Sequence, residues 1–252
     1  MKVSIITICY NSEKYIRFAI ESILNQTYKD IEYIIIDGMS KDSTLDIVKS
    51  YEPLFMGRMK WKSEPDEGIY DAMNKGISLA TGELIAILNS DDVYYDNDII
   101  KYVVSKIEEC NVDTLFGDIE VVKADNIDVI IRKWKSSQFM ENSFIKGWHP
   151  PHPAFFVKRK VYDQYGLFDT NIAVSADFEL MLRFLERYRV STIYYDRTIV
   201  KMRMGGESTG SLKRIIIGNI GVIKAFKMNN ISVSFFYPII RIFPKLFQFI
   251  NK

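Results

Sequence analysis

Cysteine and histidine are scarce in this chain, with two of each among 252 residues. Cys9 and Cys110 are too few for a disulfide framework and suit a reducing compartment. With two histidines, a zinc site of the usual nitrogen and sulfur kind lacks ligands. Charge of one sign is lacking as well: 33 Lys and Arg stand against 32 Asp and Glu, a net charge of +1. That balance offers nucleic acid no general basic field, so an anionic ligand must be held at a local site. No stretch approaches the roughly 18 to 20 uncharged apolar residues of a membrane span. The apolar run at 3–9 is short and passes straight into Tyr10-Asn11-Ser12-Glu13 without a small-residue cleavage site. Neither a span nor a signal peptide is expected, and the catalytic part is expected in the cytoplasm. Three nucleotide or ester signatures are also missing: Gly-x-Gly-x-x-Gly after the first strand, Gly-x-x-x-x-Gly-Lys-Ser/Thr, and Gly-x-Ser-x-Gly. These absences weigh against a dinucleotide fold, a P-loop enzyme and an esterase.

What is present is a hydrophobic fraction of 48% with 26% charged residues, enough for a sizeable core. The β-branched run at 3–9 predicts a buried strand. A helix with Tyr15, Ile16, Ala19, Ile20, Ile23 and Leu24 on one face should follow, capped by Asn11 or Ser12. A second strand at 31–36 ends at Asp37-Gly38, and a second helix starts at Asp42 or Ser43. This βαβ pattern predicts a parallel sheet. A helix over 70–79 and a strand over 84–88 come next, then a helix with Ile99, Ile100, Val103, Val104 and Ile107 on one side. From 112 to 134 the pattern breaks into shorter strand-like pieces, which predicts a mixed sheet. An amphipathic helix is expected over 178–188. With no internal repeat or low-complexity linker, residues 1–211 read as one domain and 212–252 as a tail.

Polar residues recur just past the expected strands: Tyr10-Asn11, Asp37, and Ser90-Asp91-Asp92. Ligands of open α/β sheets bind outside the carboxyl ends of the strands, so these side chains should share one crevice. Asp91 and Asp92 repel one another unless a cation lies beside them. Mg²⁺ or Mn²⁺, held by one or two carboxylates plus substrate phosphates, suits the pair. On residue chemistry alone an alternative stays open, in which one carboxylate merely caps a helix beginning near Asp96.

Five segments occur in order: Thr7-Ile8-Cys9-Tyr10-Asn11, then 36–44 (IDGMSKDST), 66–76 (DEGIYDAMNKG), 80–83 (ATGE), and Ser90-Asp91-Asp92. In that order and spacing the chain resembles the family 2 glycosyltransferases of the GT-A fold over roughly residues 3 to 185. The resemblance implies a Rossmann-like mixed sheet flanked by helices, with a nucleotide-sugar half at about 1–95 and an acceptor half at about 96–211. It implies Tyr10 stacked on the base, Asp37 and Asp66 accepting hydrogen bonds from base or ribose, and uracil as the first choice of base. Asp91 and Asp92 would hold the ribose side and the metal, Asp92 as the better direct ligand. Thr7, Asn11 and Asn74 complete the expected donor contacts, although Met73 stands where the family has Arg and Lys75 is the nearest replacement cation. In 174–180 (VSADFEL) Asp177 matches the family's base, with Ala176 in place of an acidic neighbour. Asp177 read on its own is equally a helix N-terminal carboxylate favoured by the dipole. His152 matches a family histidine better than His149 does. Trp148 beside them would stack on a sugar face or simply pack. The loop at 205–210 resembles a glycine-containing closing loop.

The expected activity is therefore metal-dependent, inverting transfer of one sugar from a nucleotide-sugar to an acceptor hydroxyl, in bacterial polysaccharide or glycolipid assembly. A sugar nucleotidyltransferase is the rival enzyme, but Tyr10-Asn11-Ser12-Glu13 is not the basic glycine-rich loop it needs. A non-catalytic carbohydrate-binding protein is the rival of another class. The apolar, aromatic and basic tail suits either interfacial helices contacting a membrane or a helix packed on the core, and a glycan or lipid-linked acceptor fits the former.

Overall fold

The computed structural model describes residues 1–205, 212–234 and 236–241. In chain order the elements begin with β1 (Val3–Cys9), α1 (Ile16–Leu24), β2 (Ile31–Asp37), α2 (Thr44–Tyr51) and β3 (Met59–Ser63). There follow α3 (Ile69–Leu79), β4 (Leu84–Ile87), β5 (Val93–Tyr94), α4 (Ile99–Cys110), β6 (Thr114–Val122) and β7 (Ile130–Trp134). The remainder is β8 (Phe155–Lys158), α5 (Arg159–Tyr165), α6 (Ala176–Leu182), β9 (Thr192–Arg203), α7 (Leu212–Met228) and the short α8 (Tyr237–Ile240).

The strands form one sheet in the order β3-β2-β1-β4-β8-β6-β9-β5, with β7 paired to β6. β3, β2, β1 and β4 run parallel; β8 is antiparallel to both β4 and β6. β1 and β2 are buried along their whole length because both sheet faces are covered, and the pleat sorts their residues. Ile6, Ile8, Ile34 and Ile36 face a core completed by α3, α6 and α7. Val3, Ile5, Tyr33 and Ile35 face a core completed by α1, α2 and α4. This is the mixed α/β sheet flanked by helices that the GT-A resemblance implied.

Three local expectations differ. Residues 112–134 hold one nine-residue strand, β6, and the five-residue β7. The helix expected over 178–188 is α6 followed by a π-helical turn at Arg183–Arg187. Tyr15 occupies the cap position of α1, while the carbonyl of Ser12 accepts the amides of Tyr15 and Ile16. In the tail, Val222, Ala225, Phe226 and Tyr237 are buried in the first core, so its described part packs on the domain. The outer face of α7 still exposes Ile216, Ile220 and Ile223.

Candidate active site

Register places the polar strand ends together: Cys9 pairs with Asp37 across β1 and β2, and Ile6 pairs with Ile87 across β1 and β4. Tyr10, Gly38 and Asn89 to Asp92 therefore leave the same sheet edge. Tyr10 is 59% exposed, an unusual state for a tyrosine beginning a loop beside a core strand. A Cβ on Gly38 would lie 2.5 Å from Asp66 Oδ2 and 3.5 Å from Tyr10 Cδ2. The missing side chain at Gly38 is thus what lets the Tyr10 ring and the Asp66 carboxylate approach one another. Asp66 Oδ1 accepts the amide of Gly68, which shapes the turn into α3.

Several expected contacts have their polar atoms engaged inside the protein. Thr7 is fully buried; its hydroxyl donates to the Leu88 carbonyl at 2.8 Å and accepts from Tyr33 at 3.1 Å. It fastens β1 to the end of β4 and does not face the crevice. Asp37 is equally buried, accepting from the amide and hydroxyl of Ser40 and from the Ser63 hydroxyl. Its carboxylate folds the turn beneath the crevice, with both oxygens already accepting hydrogen bonds inside the protein. Asn11, at a left-handed φ of 48°, accepts the Lys41 amide on its side chain and gives its own amide to Ser40 Oγ. Asn74 donates to the Phe168 carbonyl at 2.9 Å and accepts the Phe168 amide at 3.0 Å, clamping that backbone. Lys75 bridges Asp71 at 2.8 Å and the Pro65 carbonyl at 2.7 Å, so it steadies the loop that carries Asp66.

At the carboxylate corner, Asp92 is 1% exposed and Asp91 half-buried. Asp92 accepts Asn89 Nδ2 at 3.0 Å and the Arg203 amide at 3.2 Å. Burial, and then the charge of Asp91, push the Asp92 carboxyl well above the ordinary range; burial raises Asp91 too. The charge of buried Arg203 favours the ionised form of both carboxylates, and its guanidinium lies over the rings of Tyr15 and Phe18 at 4.9 Å from each. α4 starts at Ile99 with Asp98 in its cap position, so neither carboxylate of the corner caps it.

The corner's chemistry suits a hard cation. Its donors are all oxygen, and Asn89 Oδ1 is buried with no hydrogen-bond partner in the described structure. Among the described residues no group of three or more His, Cys, Asp or Glu gathers to hold a metal unaided. A cation at Asp91 and Asp92 would take its other ligands from substrate or water, as Mg²⁺ and Mn²⁺ do with phosphates.

Asp177 lies in the first turn of α6, after Ser175 at a left-handed φ of 77°. Its Oδ1 accepts the Tyr70 hydroxyl at 3.0 Å, across 107 residues. His152 meets the edge of Phe168 at 5.6 Å, and burial lowers its pKa against the opposing charge of Asp177. The imidazole is neutral near pH 7 and serves as a donor or acceptor without charge. Trp148 packs among Phe116, Phe139 and Phe144. His149 sits edge-on to Trp134 and Phe178. Of the 205–210 loop, Gly205 alone lies within the described residues.

Tyr70, Ser175 and Arg203 are the neighbours that sequence reasoning did not single out. Tyr70 stood inside a quoted motif, but a tyrosine in the first turn of a helix carries no sign of its partner.

Comparison with known proteins follows the same line. The sequence model of Glycosyl transferase family 2 matches residues 4–166. A PGL/p-HBAD biosynthesis glycosyltransferase of Mycobacterium bovis is 30% identical over 192 residues, covering 76% of this chain and 72% of its own. An uncharacterized glycosyltransferase of Mycobacterium tuberculosis is 33% identical over 184 residues, covering 72% and 68%. Among solved structures, residues 1–349 of S. aureus TarS in complex with UDP-GlcNAc superpose with a TM-score of 0.66 at 22% identity, covering 100% of this chain and 72% of that one. The mannosyltransferase PcManGT of Pyrobaculum calidifontis, in complex with GDP-Man and Mn²⁺, gives a TM-score of 0.65 at 19% identity, covering 97% and 69%.

Proposed function

Because the chain belongs to glycosyl transferase family 2 and is a glycosyltransferase, we propose that it moves one sugar from a UDP-sugar to an acceptor hydroxyl with inversion. The carrying observation is the meeting of exposed Tyr10 with Asp66 over Gly38, on the same sheet edge as Asp91 and Asp92. An aromatic face beside a carboxylate suits a uracil ring, which stacks and offers its N3–H. The UDP-GlcNAc complex of TarS and the GDP-Man complex of PcManGT support a nucleotide-sugar donor, and the former favours UDP.

In this reading Asp177 is the base. The acceptor oxygen attacks the anomeric carbon and its proton passes to Asp177. The bond from that carbon to the phosphate oxygen breaks, and its electron pair leaves with the nucleoside diphosphate. One displacement inverts the anomeric centre. A divalent cation, Mn²⁺ or Mg²⁺, held by Asp91 and Asp92 would neutralise the leaving diphosphate. Asp66 and Tyr10 orient the base, and neutral His152 offers a hydrogen bond to sugar or phosphate.

The acceptor we propose is a glycan or lipid-linked sugar in bacterial surface-polysaccharide or glycolipid assembly, reached at the inner face of the plasma membrane. No described helix is long and apolar enough to cross a membrane. The exposed Ile216, Ile220 and Ile223 on α7, with Lys224 and Lys227 beside them, suit peripheral contact.

A panel of nucleotide-sugars tests the reading by thermal shift with Mn²⁺ or with EDTA. UDP-sugars should stabilise the protein only with the metal. Asp92→Ala should remove that response and transfer activity while circular dichroism is unchanged. Stabilisation by free sugars that ignores UDP and metal would instead identify a binding protein.

A further inference from the structure

Asp177 is tied to the donor half of the molecule by one side chain. Tyr70 opens α3, four residues beyond Asp66. Its hydroxyl donates to Asp177 Oδ1 at 3.0 Å and accepts the Ser175 amide at 3.1 Å. Burial, and then the charge of Asp177, push the Tyr70 phenol up, so it remains a proton donor throughout the working range of pH.

The hydroxyl is itself held in place. Tyr70 stacks on Phe168 with ring centroids 5.6 Å apart and planes at 26°. Asn74, one turn further along α3, clamps the Phe168 backbone at both its amide and its carbonyl. Arg183 fastens the preceding stretch by donating to the carbonyls of Tyr165 and Leu167. From the other side, Ser175 Oγ donates to the Gly218 carbonyl of α7 at 3.2 Å. A Cβ on Gly221 would fall 2.3 Å from the Val174 carbonyl oxygen, so a glycine is needed for α7 to support this turn. Ser175 holds a left-handed conformation that is unfavourable for a serine and persists only where its surroundings impose it.

We propose that Tyr70 is the positioning residue of the transfer reaction: its hydroxyl holds the strained 174–176 turn and occupies Asp177 Oδ1, which leaves Oδ2 as the oxygen that receives the acceptor proton. The proposal rests on Asp177 being the base. A rigid donor on one carboxylate oxygen removes rotation about the last side-chain bond and fixes the remaining oxygen relative to the donor sugar. It also links base to nucleotide site, because the Asp66 turn and Tyr70 belong to one short segment. Tyr70 is therefore expected to act on turnover and not on donor affinity.

The test uses the full chain with Tyr70→Phe, Asp177→Asn and the double variant. UDP with Mn²⁺ is the binding probe, and the UDP-sugar selected by the thermal-shift panel is the donor. Phenylalanine keeps the stack on Phe168, so the fold should survive. Loss of a hydrogen bond to a carboxylate lowers rate by about 10- to 100-fold. That loss is expected in kcat, with donor KM and UDP affinity within about twofold of wild type. Tyr70→Phe should cost nothing further in the Asp177→Asn background, since the two act as a unit. Wild-type kcat in Tyr70→Phe, a change confined to KM, or full additivity in the double variant would overturn the proposal. Wild-type kcat in Asp177→Asn would instead refute the base assignment itself, and the positioning role with it.

Discussion

Asn74 separates two readings of the same motif, and Asn74→Ala distinguishes them. Its sequence context marks a donor-binding residue, whereas its amide makes paired hydrogen bonds of 2.9 and 3.0 Å with the backbone of buried Phe168. Alanine removes both bonds. Each is worth about 1 kcal/mol net, and a buried backbone group left without a partner costs more. Asn74 is half-buried, so water enters part of the gap and the loss should be about 2 to 3 kcal/mol. At roughly 2 to 4 °C per kcal/mol for a chain of this size, the melting temperature falls by about 5 to 10 °C. The ring of Phe168 then loses its fixed place under Tyr70, and kcat drops several-fold through the Asp177 turn. Urea unfolding, with midpoint and slope fitted separately, gives the stability term. Initial rates at varied donor concentration give KM and kcat. A variant of wild-type stability with donor KM raised tenfold would refute the clamp and restore the ligand-contact reading.

Other outcomes follow from particular residues. Glu32 is buried and accepts hydrogen bonds from Lys60, Ser4 and Thr81. Burial pushes its carboxyl up, but these bonds prevail and hold it at about 2 against the ordinary 4.5. A folded value below the unfolded one gives stability present above pH 4.5 and lost as pH falls toward 2. The difference corresponds to roughly 3 kcal/mol, and exposure of the Lys60 and Lys2 ammonium groups reduces it to about 2. The stability gap between wild type and Glu32→Gln in urea titrations should therefore narrow from pH 6 to pH 3; a constant gap would show that the ionised form is not what stabilises. On the outer face of α7, Ile220 is 63% exposed. Ile220→Glu should leave the fold intact yet abolish sedimentation with anionic lipid vesicles, and unchanged sedimentation would remove the membrane contact.

The features legible from residues alone are those set by local pattern. The runs in β1 and β2 are rich in isoleucine and buried at every position, a composition that permits little except a strand covered on both faces. The placing of polar residues at one sheet edge was legible too, because Tyr10, Asp37 and Asp91 each stand at or just past the end of a buried strand. What pattern leaves undecided is where a polar side chain points. Thr7, Asp37 and Asn74 have the residue types of ligand contacts, and all three direct their polar atoms into the protein. Position along the strand decides it, because both faces are covered and the crevice begins only past the last paired residues. Thr7 falls on the interior side, whereas Tyr10 lies beyond the last paired residue and is free to turn outward.

Tyr70 shows the converse limit. Its ring alone reads as core, and its bond to Asp177 joins segments 107 residues apart. That contact exists only because α3 of the parallel half packs beside the turn before α6 of the mixed half. The same packing explains why Asp177 is ambiguous as a lone residue. An aspartate in a first helical turn is stabilised by free amides wherever it occurs. Here the turn is left-handed at Ser175 and supported from both sides, by a tyrosine hydroxyl and by the glycine face of α7. A simple helix start needs neither the strain nor the support. Together they require the rest of the fold to hold one carboxylate in one orientation, which is the property a positioned base demands.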